Sequence, residues 1–187
     1  MKKKSMGSDF SMCVQPAFIV GTYNEDGTPD FAPITWVSVT CGKNGEYMIV
    51  ISMYGDKNTK RNVLRSGQFT LNLASRDMLP LVDYFGQTSG KDGIKNQMAY
   101  EYGNAQNVSA PILDMSRWVY ECQVMDRVNT GSSDTFFCAI KNVQIDEALD
   151  VENTWSIDLL KLDPVIYSGQ YFSLDKRLGK IGDFYQP

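Results

Sequence analysis

Apolar and polar positions alternate along this chain in several separate runs with the two-residue period of half-buried strands. Ala17-Phe18-Ile19-Val20-Gly21-Thr22-Tyr23 reads as a first strand, and Asn24-Glu25-Asp26-Gly27 supplies the turn after it, because Asp-Gly tolerates positive φ. Phe31 to Cys41 resumes an extended pattern, with Thr35, Val37, Val39 and Cys41 on one face and Ile34, Trp36, Ser38 and Thr40 on the other. Gly42-Lys43-Asn44-Gly45 is the next turn, and Glu46 to Tyr54 is a third strand, so these runs predict two successive hairpins. Gln68 to Ala74 alternates again, with Phe69, Leu71 and Leu73 on one face. Arg117 to Val128 and Asp134 to Ile145 predict the clearest hairpin, turning at Asn129 to Ser133, and a last extended region runs from Asp163 to about Leu174.

Two stretches switch to helical spacing. Asn58 or Thr59 can cap a short helix through Ser66, with Gly67 where a helix ends best on glycine. Met78, Leu81, Val82 and Phe85 predict a second helix from about Asp77 to Phe85, with Pro80 early enough to be tolerated. Gly86 to Met98 is a long polar loop, a kind that is uncommon and often functional. Hairpin-connected strands with few helices between them argue against a doubly wound α/β sheet. The prediction is a mainly β fold, a closed or nearly closed antiparallel barrel of about six strands, because closure removes sheet edges. Residues 1–13 read as an N-terminal arm and 14–187 as a single domain.

Composition narrows the function. The chain has 187 residues, 43% of them hydrophobic, enough for one substantial core. Its net charge of −4 argues against general nucleic-acid binding, which needs a basic face. It contains no histidine, which excludes Ser-His-Asp and Cys-His catalysis and histidine-bearing zinc sites. A bound cofactor with its own chemistry becomes more attractive. Cys13, Cys41, Cys122 and Cys138 are far apart and form no CxxC, which fits reduced thiols. No secretion signal or membrane span is read, so the expected compartment is the cytoplasm.

Neither G-x-G-x-x-G nor a P-loop is present. One anion site suggests itself. A strand ends at Ile51-Ser52, and Lys57, Asn58, Thr59, Lys60 and Arg61 lead into the short helix, whose N-terminal amides and dipole favour an anion. The same residues also read as a capped helix with solvated charges. Trp36 reads either as ordinary packing or as a flat aromatic wall for a planar ligand. The stretch from Ser89 to Lys95 reads either as a surface loop or as part of a site.

Several stretches together are similar to one family. They are Pro16 to Thr22 followed by Asp26-Gly27-Thr28-Pro29-Asp30-Phe31-Ala32-Pro33, Tyr47 to Ser52 followed by Thr59-Lys60-Arg61-Asn62-Val63, and Ser66 to Leu73. Phe85-Gly86-Gln87-Thr88-Ser89-Gly90 with Lys95, Tyr120-Glu121-Cys122 with Thr135-Phe136-Phe137-Cys138, and Asp163 to Tyr167 complete the set. In this order they resemble the flavin reductase-like, FMN-binding split-barrel proteins, which include the flavoredoxins. The resemblance implies a six-stranded antiparallel split barrel with short flanking helices, a homodimer, and FMN near the subunit interface. It implies that the backbone around Pro33, Ile34, Thr35 and Trp36 faces the flavin ring, that Ser52, Lys57 and Thr59 meet the phosphate, and that Ser89 and Lys95 flank the ring or its open face. Asn62 would support the helix turn.

One departure stands out. Many NAD(P)H-dependent members carry Gly-Asp-His before the Phe-Phe strand, whereas this chain reads Gly131-Ser132-Ser133-Asp134. An acidic Asp134 does not reproduce an imidazole contact to nicotinamide. The expected function is an FMN-dependent oxidoreductase carrying electrons from a reduced donor such as NADH or NADPH. The alternative is a flavoredoxin-like electron carrier without NAD(P)H turnover, served by a protein donor or acceptor.

Overall fold

The structure, a computed structural model, describes residues 1–8, 14–88, 98–153 and 156–185. Its strands are β1 (Gln15–Pro16), β2 (Phe18–Tyr23), β3 (Pro29–Ile34), β4 (Val37–Cys41), β5 (Tyr47–Tyr54), β6 (Gln68–Leu73), β7 (Tyr102–Asn104), β8 (Pro111–Leu113), β9 (Trp118–Asn129), β10 (Ser133–Ile145), β11 (Val165–Tyr167) and β12 (Tyr171–Ser173). The α-helices are α1 (Asn58–Ser66), α2 (Leu79–Gln87) and α3 (Leu159–Leu162).

Seven strands form the main antiparallel sheet, in the order β3-β2-β6-β9-β10-β5-β4. Its two edges, β3 and β4, are consecutive in sequence. One extended segment, Pro29 to Cys41, therefore serves both edges, and the chain itself closes the sheet at Thr35-Trp36. Counted with that segment as one interrupted strand, this is the expected six-stranded split barrel.

The barrel interior is one apolar cluster drawn from all around the sheet. Phe18 and Val20 come from β2, Ile49 and Ile51 from β5, Phe69 and Leu71 from β6, and Phe136 and Cys138 from β10. Val63 of α1 joins the same cluster and plugs one end. The alternate residues of β2 point outward. Ala17 and Ile19 pack with Met78, Leu81, Val82 and Phe85, the apolar stripe expected of the second helix. That helix begins as a 3-10 turn at Arg76–Met78 before α2, whose first turn accommodates Pro80.

Three local expectations change. Phe31 to Cys41 does not alternate without interruption. The Val37 amide donates to the Thr35 carbonyl at 2.8 Å, a tight three-residue turn, so Ile34 and Val37 both pack against the barrel core although they are three residues apart. Neither Asn58 nor Thr59 caps α1. The N-cap is Lys57, which makes no side-chain cap, while Asn58 and Asn62 both donate to the Asn24 side chain, at 2.8 and 2.9 Å. The last extended region is a hairpin, β11–β12, which turns through Gly169 at φ 74°.

The polar outer face of β6 and β9 is not solvent-facing. Thr70, Asn72 and Glu121 are fully buried beneath the segment that carries β7 and β8. Thr70 donates to the Pro111 carbonyl, and Asn72 accepts from the Leu113 amide at 2.9 Å. Glu121 accepts from the amides of Gln106 and Asn107 and from the side chains of Asn142 and Gln144. Burial alone would raise the Glu121 pKa, but these neutral donors outweigh it and hold the carboxyl below its ordinary value. β2 can lie under this segment only because position 21 lacks a side chain. A Cβ on Gly21 would sit 2.4 Å from the Pro111 carbonyl oxygen and 2.6 Å from the Thr70 hydroxyl.

Gly21→Ala is therefore expected to destabilise the fold by about 1–3 kcal/mol, the usual cost of overpacking. Equilibrium urea unfolding reads this; an unchanged midpoint would show that β8 can move away freely.

Candidate functional site

A cavity of about 530 Å³ opens where the barrel closes, between the Thr35-Trp36 break, the end of β5 and the start of α1. That volume lies inside the range of roughly 300–1,000 Å³ typical of small-molecule sites. One wall is Pro33, Ile34, Thr35 and Trp36, with Val20 behind it. The opposite side is Ser52, Met53 and Tyr54 of β5 and Lys57, Thr59 and Lys60 at the helix start. Seven residues singled out from the sequence thus gather in one place: the four of the first wall, and Ser52, Lys57 and Thr59. Ser89 and Lys95 lie outside the described residues. Val20, Ala32, Met53 and Tyr54 also line the cavity and carry no such signal in the sequence. Lys60 was visible as one cation in a run of them, and only the first turn of α1 aims it inward.

The wall is held by main-chain bonds. The Trp36 carbonyl accepts from the Ser52 amide at 3.0 Å, and the Thr35 carbonyl is taken by Val37. Trp36 is 37% exposed, an unusual placement for an indole with ordinary core duty. Ser52 Oγ lies 2.7 Å from Thr135 Oγ1 on the facing strand.

The helix side carries the charge. With no side-chain cap from Lys57, the first-turn amides of α1 face the cavity end with their positive dipole uncompensated by a capping oxygen. Lys57 is exposed and makes no ion pair among the described residues. Thr59, by contrast, is buried, and its hydroxyl donates to the buried carboxylate of Asp30. Lys60 Nζ lies 3.0 Å from Asp134, whose side chain is 3% exposed. Asp134 also accepts from Arg127 and Asn129. The Asn129 amide, with Lys60 and Arg127, overcomes the opposing effect of burial and holds the Asp134 carboxyl down at about 2.

This arrangement suits a ligand with a flat apolar part and an anionic end. The apolar wall shields the first, and the helix start with Lys57 and Lys60 neutralises the second. Among the described residues, the two barrel-core thiols offer no competing chemistry. Burial pushes Cys138 up to about 12 and also raises Cys122, while Cys41 is exposed at the end of β4 and does not line the cavity.

The fold and pocket define a class, a split barrel with a ligand cavity at its seam, and comparison with known proteins places the chain within it. The flavin reductase like domain matches residues 10–174. The chain belongs to the flavin reductase-like family. No curated protein matches it. Among solved structures, it is similar to flavoredoxin of Desulfovibrio vulgaris (Miyazaki F), with 25% identity and a TM-score of 0.86 over 98% of this chain and 99% of that one. It is similar in fold to flavoredoxin from Methanosarcina acetivorans, at 18% identity and TM-score 0.86, over 98% and 97% of the two chains. An FMN-binding protein from Thermus thermophilus shares the fold at 18% identity and TM-score 0.77, over 96% and 99%. No helix among the described residues is long and apolar enough to cross a membrane.

Asp134 gives a pH dependence. Its carboxyl ionises near 3.8 when unfolded and near 2 when folded. Its contribution to stability is complete above about pH 4 and is lost as pH falls toward 2. Urea midpoints measured from pH 6 to pH 2 are expected to fall in that window, and to fall less in Asp134→Asn; identical acid profiles for both proteins would refute this.

Proposed function

We propose that the cavity binds FMN and that the protein is an oxidoreductase passing electrons through it. The observation that carries this reading is the juxtaposition of an apolar, indole-bearing wall with a helix N-terminus that has two lysines and no side-chain cap. Membership of the flavin reductase-like family and the resemblance to an FMN-binding protein support it. FMN supplies the electron and hydride chemistry when bound. The chain's own residues bind and orient it. Lys57, Lys60 and the first-turn amides of α1 hold the phosphate, and Ser52 offers a hydroxyl beside them. Thr59 contributes through its grip on Asp30, since its proton is already committed there. Pro33, Ile34 and Trp36 keep water from one side of the ring. No protein nucleophile or histidine is required. Ser89 and Lys95 remain candidates for the ring's open face.

The electron donor is the finer question. NADH or NADPH would make this a flavin reductase-like enzyme. A second reading, an electron carrier reduced by a protein partner, is favoured by Asp134, because the hairpin tip presents a buried, ion-paired carboxylate in place of a neutral imidazole. We further propose a homodimer. Leu178, Ile181, Phe184 and Tyr185 of the C-terminal segment are strongly exposed, Ile181 fully so, and a second copy of the chain would cover them. A cytoplasmic setting fits the free thiols Cys41, Cys122 and Cys138.

The test is the visible spectrum of the protein titrated with FMN, then given NADH or NADPH without oxygen. Binding with bleaching supports the reductase; binding without bleaching supports the carrier; no binding rejects the flavin reading. Thr59→Val is expected to weaken FMN by about 1–3 kcal/mol, because it removes the hydrogen bond to Asp30 that holds the first turn of α1 in place at the phosphate subsite. Trp36→Ala should shift the bound-flavin spectrum. An unchanged affinity or spectrum would remove that residue from the site.

A further inference from the structure

Two side chains on the helix side of the cavity, Thr59 and Lys60, are each held from behind by a buried carboxylate. The second of these carboxylates has consequences for binding. Asp134 sits at the start of β10, opposite Met53 of β5, and does not itself line the cavity. Its side chain meets the cavity lining through Lys60. The side chains of this pair are 12% and 3% exposed, and 3.0 Å separates Nζ from the carboxylate. On the far side of the same carboxylate, Arg127 lies at 2.6 Å and Asn129 at 2.8 Å. Two cations thus share one anion, and the cluster keeps a net positive charge.

We propose that Asp134 is a positioning residue for the phosphate subsite: it fixes the Lys60 ammonium at the cavity wall and so couples the β9–β10 hairpin tip to anion binding at the start of α1. The inference rests on the FMN reading above. Two effects compete when Asp134 is neutralised. Loss of a negative charge near the subsite would favour an anion. Arg127 already offsets that charge, however, and without the carboxylate Lys60 and Arg127 repel each other across the gap it had bridged. A lysine freed in this way regains its rotamer entropy and turns toward water. Loss of position is the larger effect, so the substitution weakens binding.

The experiment compares FMN with riboflavin, which has the same ring and no phosphate, by fluorescence titration of the wild type, Asp134→Asn, Lys60→Met and the double variant. Asp134→Asn is expected to weaken FMN roughly tenfold, the size of one charge-assisted hydrogen bond, while riboflavin affinity moves less than about twofold. In the Lys60→Met background it should add nearly nothing, since the two residues act as one unit. Arg127→Met removes another partner of the same carboxylate but leaves Lys60 in place. It should leave FMN affinity within about twofold, which separates positioning from hairpin stability. A readout without flavin completes the test: acetylation of Lys60 by limiting acetic anhydride, followed by mass spectrometry, should accelerate severalfold in Asp134→Asn.

Equal losses for FMN and riboflavin, additive losses in the double variant, or unchanged Lys60 acetylation would each overturn the proposal. Failure of the wild type to bind FMN would overturn the phosphate role together with the function. Because the acetylation rates need no flavin, they distinguish that failure from a Lys60 that Asp134 never held.

Discussion

The structure depends on one geometric constraint: a single extended segment, Pro29 to Cys41, must serve as both edges of the sheet. An open seven-stranded sheet would leave two rows of unpaired main-chain groups, a standing risk of edge-to-edge association. Here the first half of the segment pairs with β2 and the second half with β5. The cost is a break at Thr35-Trp36, where the chain changes partners and the inward face is reset. The break is also what makes a cavity. A continuous strand would have filled the seam with alternating side chains, whereas the tight turn at Thr35 leaves Trp36 standing beside an opening that the helix start completes.

Closure alone would leave the outer face of β6 and β9 open to water. The chain instead covers it and gives the buried Thr70, Asn72 and Glu121 hydrogen-bond partners there. Thr70, Asn72 and Glu121 act as fixed hydrogen-bonding points to which the segment before β9 is tied. The same device recurs at the cavity. Asp30 and Asp134 are buried carboxyl groups, and each is oriented by a donor from α1, with Arg127 and Asn129 added for Asp134. Buried charges are costly when unpaired, so these contacts fix where α1 can sit against the barrel. The position of its N-terminus, and hence the polarity of the cavity end, follows from them.

The site that results is built for holding rather than for proton transfer. There is no imidazole, and the barrel-core thiols are held protonated by burial. The residues that line the cavity include two lysines, the hydroxyl-bearing Thr35, Ser52, Tyr54 and Thr59, and an apolar wall with Trp36. Such a set positions a ligand that brings its own chemistry.

The long strands, their hairpin connections and the absence of a P-loop were legible in the sequence, whereas the break at Thr35-Trp36 was not. Period-two alternation and Asp-Gly or Gly-Lys-Asn-Gly turns are local signals, and a local reading recovers them. The family resemblance carried the cavity residues further than spacing could. Other features were not legible, because they are decided by pairs of residues far apart in the chain. Alternation placed Thr70 and Asn72 opposite the apolar face of their strand, and a segment some forty residues later covers them. Thr59 looked like a helix cap, and Asp30 took its hydroxyl instead. Asp134 looked like a missing histidine; the fold makes it a partner of Lys60, Arg127 and Asn129. The sequence by itself determined which segments are strands and where they turn, because those choices depend on neighbours in the chain. Only the tertiary structure decided which polar groups are buried and against whom, because hydrogen-bond satisfaction is settled between elements brought together by closure.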